Sequence, residues 1–82
     1  MNTEFFLSKG WKFLVENEGW YYFTSEYVDR TRYMLIWKKP FMYVYYQTQV
    51  EGGVKSEEIF GGRCMSEWLY DIISQTIGID KI

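Results

Sequence analysis

The sequence predicts an α+β two-layer domain: an antiparallel β-meander of four to five strands, with a short N-terminal helix and a C-terminal amphipathic helix on one face. Four segments dense in aromatic and β-branched residues suit a pleated sheet. The links between them are too short for a crossover, so neighbouring strands pair antiparallel. A single long segment with helical periodicity follows the strands, and such a helix must bury its apolar stripe on the sheet.

Residues 2–9 read as a short helix. Asn2 or Thr3 can cap it, Glu4 suits the first turn and Gly10 is a stop signal. About two turns cannot stand alone, so Phe5, Phe6 and Leu7 must dock. Residues 11–16 (WKFLVE) read as a strand. Asn17-Glu18-Gly19 reads as a three-residue hairpin loop with Gly19 left-handed, and residues 20–25 (WYYFTS) return. After a polar loop at 26–30, residues 32–38 (RYMLIWK) and 41–50 (FMYVYYQTQV) give two more strands, broken by Lys39-Pro40. Glu51-Gly52-Gly53 is a hairpin signal. Residues 54–60 follow as a fifth strand or an irregular edge, because Ser56-Glu57-Glu58 also suits a helix start. Gly61-Gly62 punctuates. Residues 64–77 (CMSEWLYDIISQTI) form the amphipathic helix, with Met65, Trp68, Leu69, Ile72, Ile73 and Thr76 on one side and Gly78 ending it.

At 82 residues and 10.0 kDa, the chain has the size of a single domain spanning 1–82. The 48% hydrophobic and 24% charged residues argue against wholesale disorder. The aromatic share, 22%, is the unusual figure. At roughly 150–250 Å² per ring, these side chains carry more area than a one-layer core hides comfortably. No apolar run is long enough to span a membrane, and the first residues lack the pattern of a signal peptide. A single cysteine fits a reducing compartment, the cytoplasm. Zero histidines and one cysteine remove nearly every zinc, copper or haem site, so no cofactor is expected. The chain has no alanine, and Phe, Tyr, Met, Ile, Asn and Lys together make 33 of its 82 residues, which points to an AT-rich genome such as that of a bacterium, phage or mobile element.

Alternation along residues 41–50 puts Met42, Val44, Tyr46, Thr48 and Val50 on one face and Phe41, Tyr43, Tyr45, Gln47 and Gln49 on the other. The aliphatic set suits the face under the helices. Residues 32–38 divide likewise into Met34/Ile36 and Tyr33/Leu35/Trp37. Met65, Leu69 and Ile72 are thus expected to pack on Val44 and Ile36, with Tyr33 and Trp37 beside Phe41, Tyr43 and Tyr45 on the open side. Four strands of six residues give each face on the order of 400 Å², and nothing in the chain remains to cover the second one.

Candidate chemistry is sparse. Cys64 at a helix N-terminus would favour a thiolate, but it has no histidine as base and reads as a small buried hydrophobe. Gly61, Gly62 and Arg63 before that helix are a candidate anion site, with a plain turn and cap as the simpler reading. Glu51, Glu57 and Glu58 could serve as acids or cation ligands, yet an exposed edge carries such charges for solubility. Lys9, Lys12, Arg30, Arg32, Lys38 and Lys39 with Trp11, Trp20 and Trp37 could form a platform for single-stranded nucleic acid. A net charge of −2 opposes this. An enzyme is the least favoured class. The sequence instead suggests a small protein-binding module whose aromatic face, Tyr33, Trp37, Phe41, Tyr43 and Tyr45, meets a second copy or another protein, as a phage or mobile-element inhibitor would.

Overall fold

The computed structural model describes residues 1–79. The element order is α1 (Thr3–Ser8), β1 (Lys12–Asn17), β2 (Trp20–Thr24), β3 (Thr31–Lys38), β4 (Phe41–Val50), β5 (Gly53–Arg63) and α2 (Glu67–Ile77). The strands form one five-stranded antiparallel sheet in the order β1-β2-β3-β4-β5. Both helices pack on one face of it: Phe6 of α1 contacts Phe23 and Trp37 on that face, and Tyr70 of α2 contacts Phe6.

Local chemistry explains the turns. Asn17 pairs with Trp20, so the first hairpin closes on two residues rather than three. Glu18 and Gly19 both take positive φ, 52° and 83°, which is the backbone of a type I′ turn. The Gly19 N–H donates to the Glu16 carboxylate and helps hold it. Asp29 and Arg30 repeat this geometry between Val28 and Thr31, with φ of 50° and 66°. The fifth segment is a full strand. Because β4 has ten residues and the Glu51-Gly52 turn is tight, β5 stays paired until Arg63 meets Phe41. One extra residue, Ile59, is absorbed by a bulge.

The helix begins later than its periodicity suggests. Ser66 caps α2 by accepting from the Leu69 N–H, and Gly78 ends it in the left-handed conformation. Its inward side is also rotated. Tyr70 and Ser74 are buried and Leu69, Ile73 and Ile77 pack on the core, while Met65 and Ile72 are exposed and Trp68 is 73% exposed. Tyr70 sets this rotation, because its ring meets Phe5 and Phe6 edge-on and its hydroxyl accepts the Trp11 indole N–H at 2.7 Å.

The register also reverses the expected division of β3. Leu35 lies opposite Val44 and Trp37 opposite Met42, so these four share the helix-covered face with Phe23. Met34 and Ile36 turn to the other side. The reason is depth: α1 hangs Phe6 over the sheet, and a ring there needs rings beneath it. Trp37 lies 5.3 Å from Phe6 and Phe23 lies at the same distance.

Candidate functional site

Cross-strand partners share a face, so the uncovered face can be read row by row. Trp20, Lys38, Phe41 and Arg63 lie along one end of the sheet. Val15, Tyr22, Ile36, Tyr43 and Gly61 form the next row. Lys12, Thr24, Met34, Tyr45 and Glu58 follow, then Arg32, Gln47 and Ser56. The centre is a continuous apolar and aromatic surface, with Trp20 and Tyr43 rings 5.9 Å apart. These side chains shield one another. Trp20, Tyr22, Met34, Ile36, Tyr43 and Tyr45 are half-buried, and Phe41 is exposed.

Phe41, Tyr43 and Tyr45 therefore occupy the open face together, whereas Tyr33 and Trp37 do not join them. Trp37 is 4% exposed in the core, and Tyr33 packs on that core and meets Tyr46 edge-on at 5.6 Å. Trp20 and Tyr22 take the vacant places. The sequence left the β2 faces open because Trp20-Tyr21-Tyr22-Phe23 is apolar at every position; the signal that could have decided it is Phe23, the one ring of the four with no polar atom.

The charges around this face are arranged unevenly. Of its four cations only Lys12 has a carboxylate partner among the described residues, and the other three meet neutral groups. Lys12 pairs with Glu26. Arg32 donates to the Gln47 side-chain oxygen at 3.1 Å and lies 4.8 Å from the Tyr27 ring centre. Lys38 donates to the Glu18 carbonyl and lies over Trp20, and Arg63 lies over Phe41. The single strand carboxylate of the face, Glu58, has no ion-pair partner among the described residues. Its side chain lies over Gly61. A methyl group built there would stand 2.8 Å from Glu58 Oε1 and 2.9 Å from the Tyr43 ring. Tyr45, directly opposite Glu58, has its phenol pushed above the ordinary 10.0, first by burial and then by the Glu58 charge.

The remaining candidates separate. Gly61, Gly62 and Arg63 are part of β5, paired with Tyr43, Met42 and Phe41, and α2 starts only at Glu67, so the expected glycine cradle at a helix N-terminus does not form. Cys64 likewise precedes the helix. It is fully buried, and burial pushes its thiol up. Glu57 and Glu58 sit opposite Tyr46 and Tyr45, on different faces, and Glu51 lies in the β4–β5 turn. A cavity of about 400 Å³ lies between the Asp29-Arg30 hairpin and the end of α2. Of the two carboxylates that line it, Glu26 is engaged by Lys12 and Asp29 belongs to the hairpin turn. No helix among the described residues is long and apolar enough to cross a membrane. Comparison with models of known families, with curated proteins and with solved structures finds no match for this chain.

Proposed function

We propose that this is a small, non-enzymatic protein-interaction module that binds through the uncovered sheet face around Trp20, Tyr22, Phe41, Tyr43 and Tyr45. The observation that carries the reading is that both helices lie on the other face, leaving a continuous aromatic surface uncovered. Five strands at about 4.8 Å and eight residues at about 3.3 Å give this face roughly 600 Å², close to the ~800 Å² per partner of a standard interface. Tyr and Trp supply rigid contact area with polar tips, the composition that anchors interfaces. The partner is a second copy or a different protein met in the cytoplasm, and an inhibitory or accessory role for a phage or mobile element fits the small size and the amino-acid composition.

The test is association. Sedimentation velocity across a concentration series measures self-association, and wild-type and variant baits compared side by side measure capture of another protein. Tyr43→Ala and Tyr45→Ala should weaken binding about thirtyfold or more with little change in melting temperature. Unchanged binding in both variants refutes the reading. Single-stranded nucleic acid is the second reading, favoured by the four cations spread around the aromatic centre. Retention on an oligonucleotide column at low salt, lost at moderate salt, would select it.

A further inference from the structure

We infer that the uncovered face takes an acidic segment of a different protein, whose carboxylates meet Lys38 and Arg63 at one end of the sheet and Arg32 at the other while its apolar side chains cover the aromatic centre. The inference rests on reading the face as a protein interface and names the chemistry of the partner. Charge is divided unequally over the molecule. Of nine bases and eleven acids in the chain, the strands of this face carry four and one, leaving five against ten elsewhere. A chain of net charge −2 thus presents a positive side around its aromatic surface. Lys12 pairs with Glu26, whereas Arg32, Lys38 and Arg63 have no carboxylate partner among the described residues. Neutral groups hold these three in place. Arg32 Nε donates to the Gln47 side chain and the guanidinium lies over Tyr27, Lys38 is held by the Glu18 carbonyl and the Trp20 ring, and Arg63 lies over Phe41. Glu16, near the Lys38 end, is on the covered side, where its carboxylate accepts the Gly19 N–H.

A guanidinium stacked on a ring keeps the edge of its N–H fork for a carboxylate. Cations already ordered by their neighbours also lose little rotamer freedom on binding. Position matters as much as sign. Arg32 and Lys38 are six residues apart in β3, roughly 20 Å at about 3.3 Å per residue. The rows between them hold Tyr22, Met34, Ile36, Tyr43 and Tyr45. An apolar centre with charge at its rim is the anatomy of a protein interface. The same pattern opposes two other occupants. A second copy brought face to face sets like charges against each other. A nucleic acid carries a phosphate at every nucleotide, and a strand laid from Lys38 to Arg32 crosses the row that holds Glu58.

The test uses the intact chain, ¹⁵N-labelled, titrated at matched ionic strength with the peptide Glu-Glu-Leu-Trp-Leu-Glu-Glu, which spans roughly 23 Å when extended. Its counterpart with Gln for every Glu and a thymidine oligonucleotide serve as the other probes. Saturable amide shifts with the acidic peptide should centre on Arg32, Lys38, Tyr43 and Arg63 and weaken as salt rises, with the Gln peptide about tenfold weaker or more. Lys38→Glu combined with Arg63→Glu should weaken the acidic peptide about tenfold or more and create affinity for a peptide with Lys for every Glu. Loss of the fold cannot produce that reversal, and both positions are exposed, so the spectrum should stay folded. No saturable binding of the acidic peptide, equal affinity for the Gln peptide, or tighter binding of the oligonucleotide would overturn the inference. Self-association weakened by Tyr43→Ala would make a second copy the occupant and overturn it as well. If Tyr43→Ala abolishes peptide binding while the charge reversal leaves it unchanged, the face is the interface and the acidic partner is wrong. If neither variant changes association of any kind, the interface reading itself fails.

Discussion

Replacing Tyr70 with phenylalanine tests how the two ends of the chain are joined. Tyr70 is 3% exposed and Trp11 2%, and the indole N–H donates to the phenol at 2.7 Å across 59 residues. Tyr70→Phe keeps the ring contacts to Phe5 and Phe6 at 5.1 and 5.6 Å. It removes only the acceptor. Two effects compete. Loss of the hydroxyl relieves the burial of one polar atom, whereas the indole N–H left without a partner loses about 1–3 kcal/mol. The second wins, so destabilisation of about 2 kcal/mol is expected, against a total near 4–12 kcal/mol for a chain of this length. The melting temperature should fall by roughly 8–16 °C. Urea unfolding followed by far-UV dichroism should show a lower midpoint with an unchanged slope, and the Trp11 indole proton should exchange faster. A double variant with Trp11→Phe measures the coupling directly. A Tyr70→Phe protein within about 0.5 kcal/mol of wild type would show that the N–H reaches another acceptor and that this bond does not tie α2 to the start of β1.

Further outcomes are expected from single changes elsewhere. Trp37→Ala should lose about 3–5 kcal/mol, enough to unfold much of the population, while Phe41→Ala immediately after the turn should remain folded; circular dichroism distinguishes them, and the opposite result would reverse the two faces. Arg30→Gly should raise stability by about 1 kcal/mol, because a side chain at φ 66° is strained where glycine is not; an unchanged or lower melting temperature would count against a type I′ turn there. The raised Tyr45 phenol means that the folded chain holds that proton to higher pH than the unfolded chain. Its stabilising contribution is therefore complete below about pH 10 and is lost as pH rises through the folded pKa. Glu58→Gln should lower the Tyr45 transition in an ultraviolet titration without abolishing the shift, since burial is the larger cause.

The strand order was legible in the sequence because three of the four links carry their own turn chemistry, Gly19, Pro40 and Gly52 locating those hairpins independently of packing, and the fourth, at 26–30, is too short for a crossover. The length of β5 was less so: Gly61-Gly62 normally ends a strand, and only the pairing demand of β4 keeps these glycines in the ladder. Face assignment failed in β3 for a different reason. Tyr33, Leu35 and Trp37 alternate with Met34 and Ile36, and hydrophobicity cannot rank two apolar sets. The deciding contact is between Phe6 and Trp37, which are 31 positions apart and invisible to any local pattern. The same applies to α2, where the side read from Met65, Trp68, Leu69, Ile72, Ile73 and Thr76 is rotated by a buried Tyr70 whose partner, Trp11, lies 59 positions away. Of the open face, Phe41, Tyr43 and Tyr45 were readable from β4 alone. The placement of Glu58 beside them depends on the Ile59 bulge, which shifts the β5 register.

The two ends of the sheet in its own plane are unlike, and that difference has a consequence in symmetry. Joining β5 of one molecule to β1 of the next would repeat head to tail, into a ring or an open filament, whereas joining β1 to β1 would close at two molecules. Leu14 is an extra residue in β1, so the pairing of that strand with β2 is split into a stretch of two and a stretch of three. An incoming strand meets a kinked, over-twisted ladder there, despite the half-exposed Phe13, Leu14 and Val15. At the far end, Lys55, Glu57 and Glu58 put charge along β5. Lateral growth is thus impeded in both directions by different means.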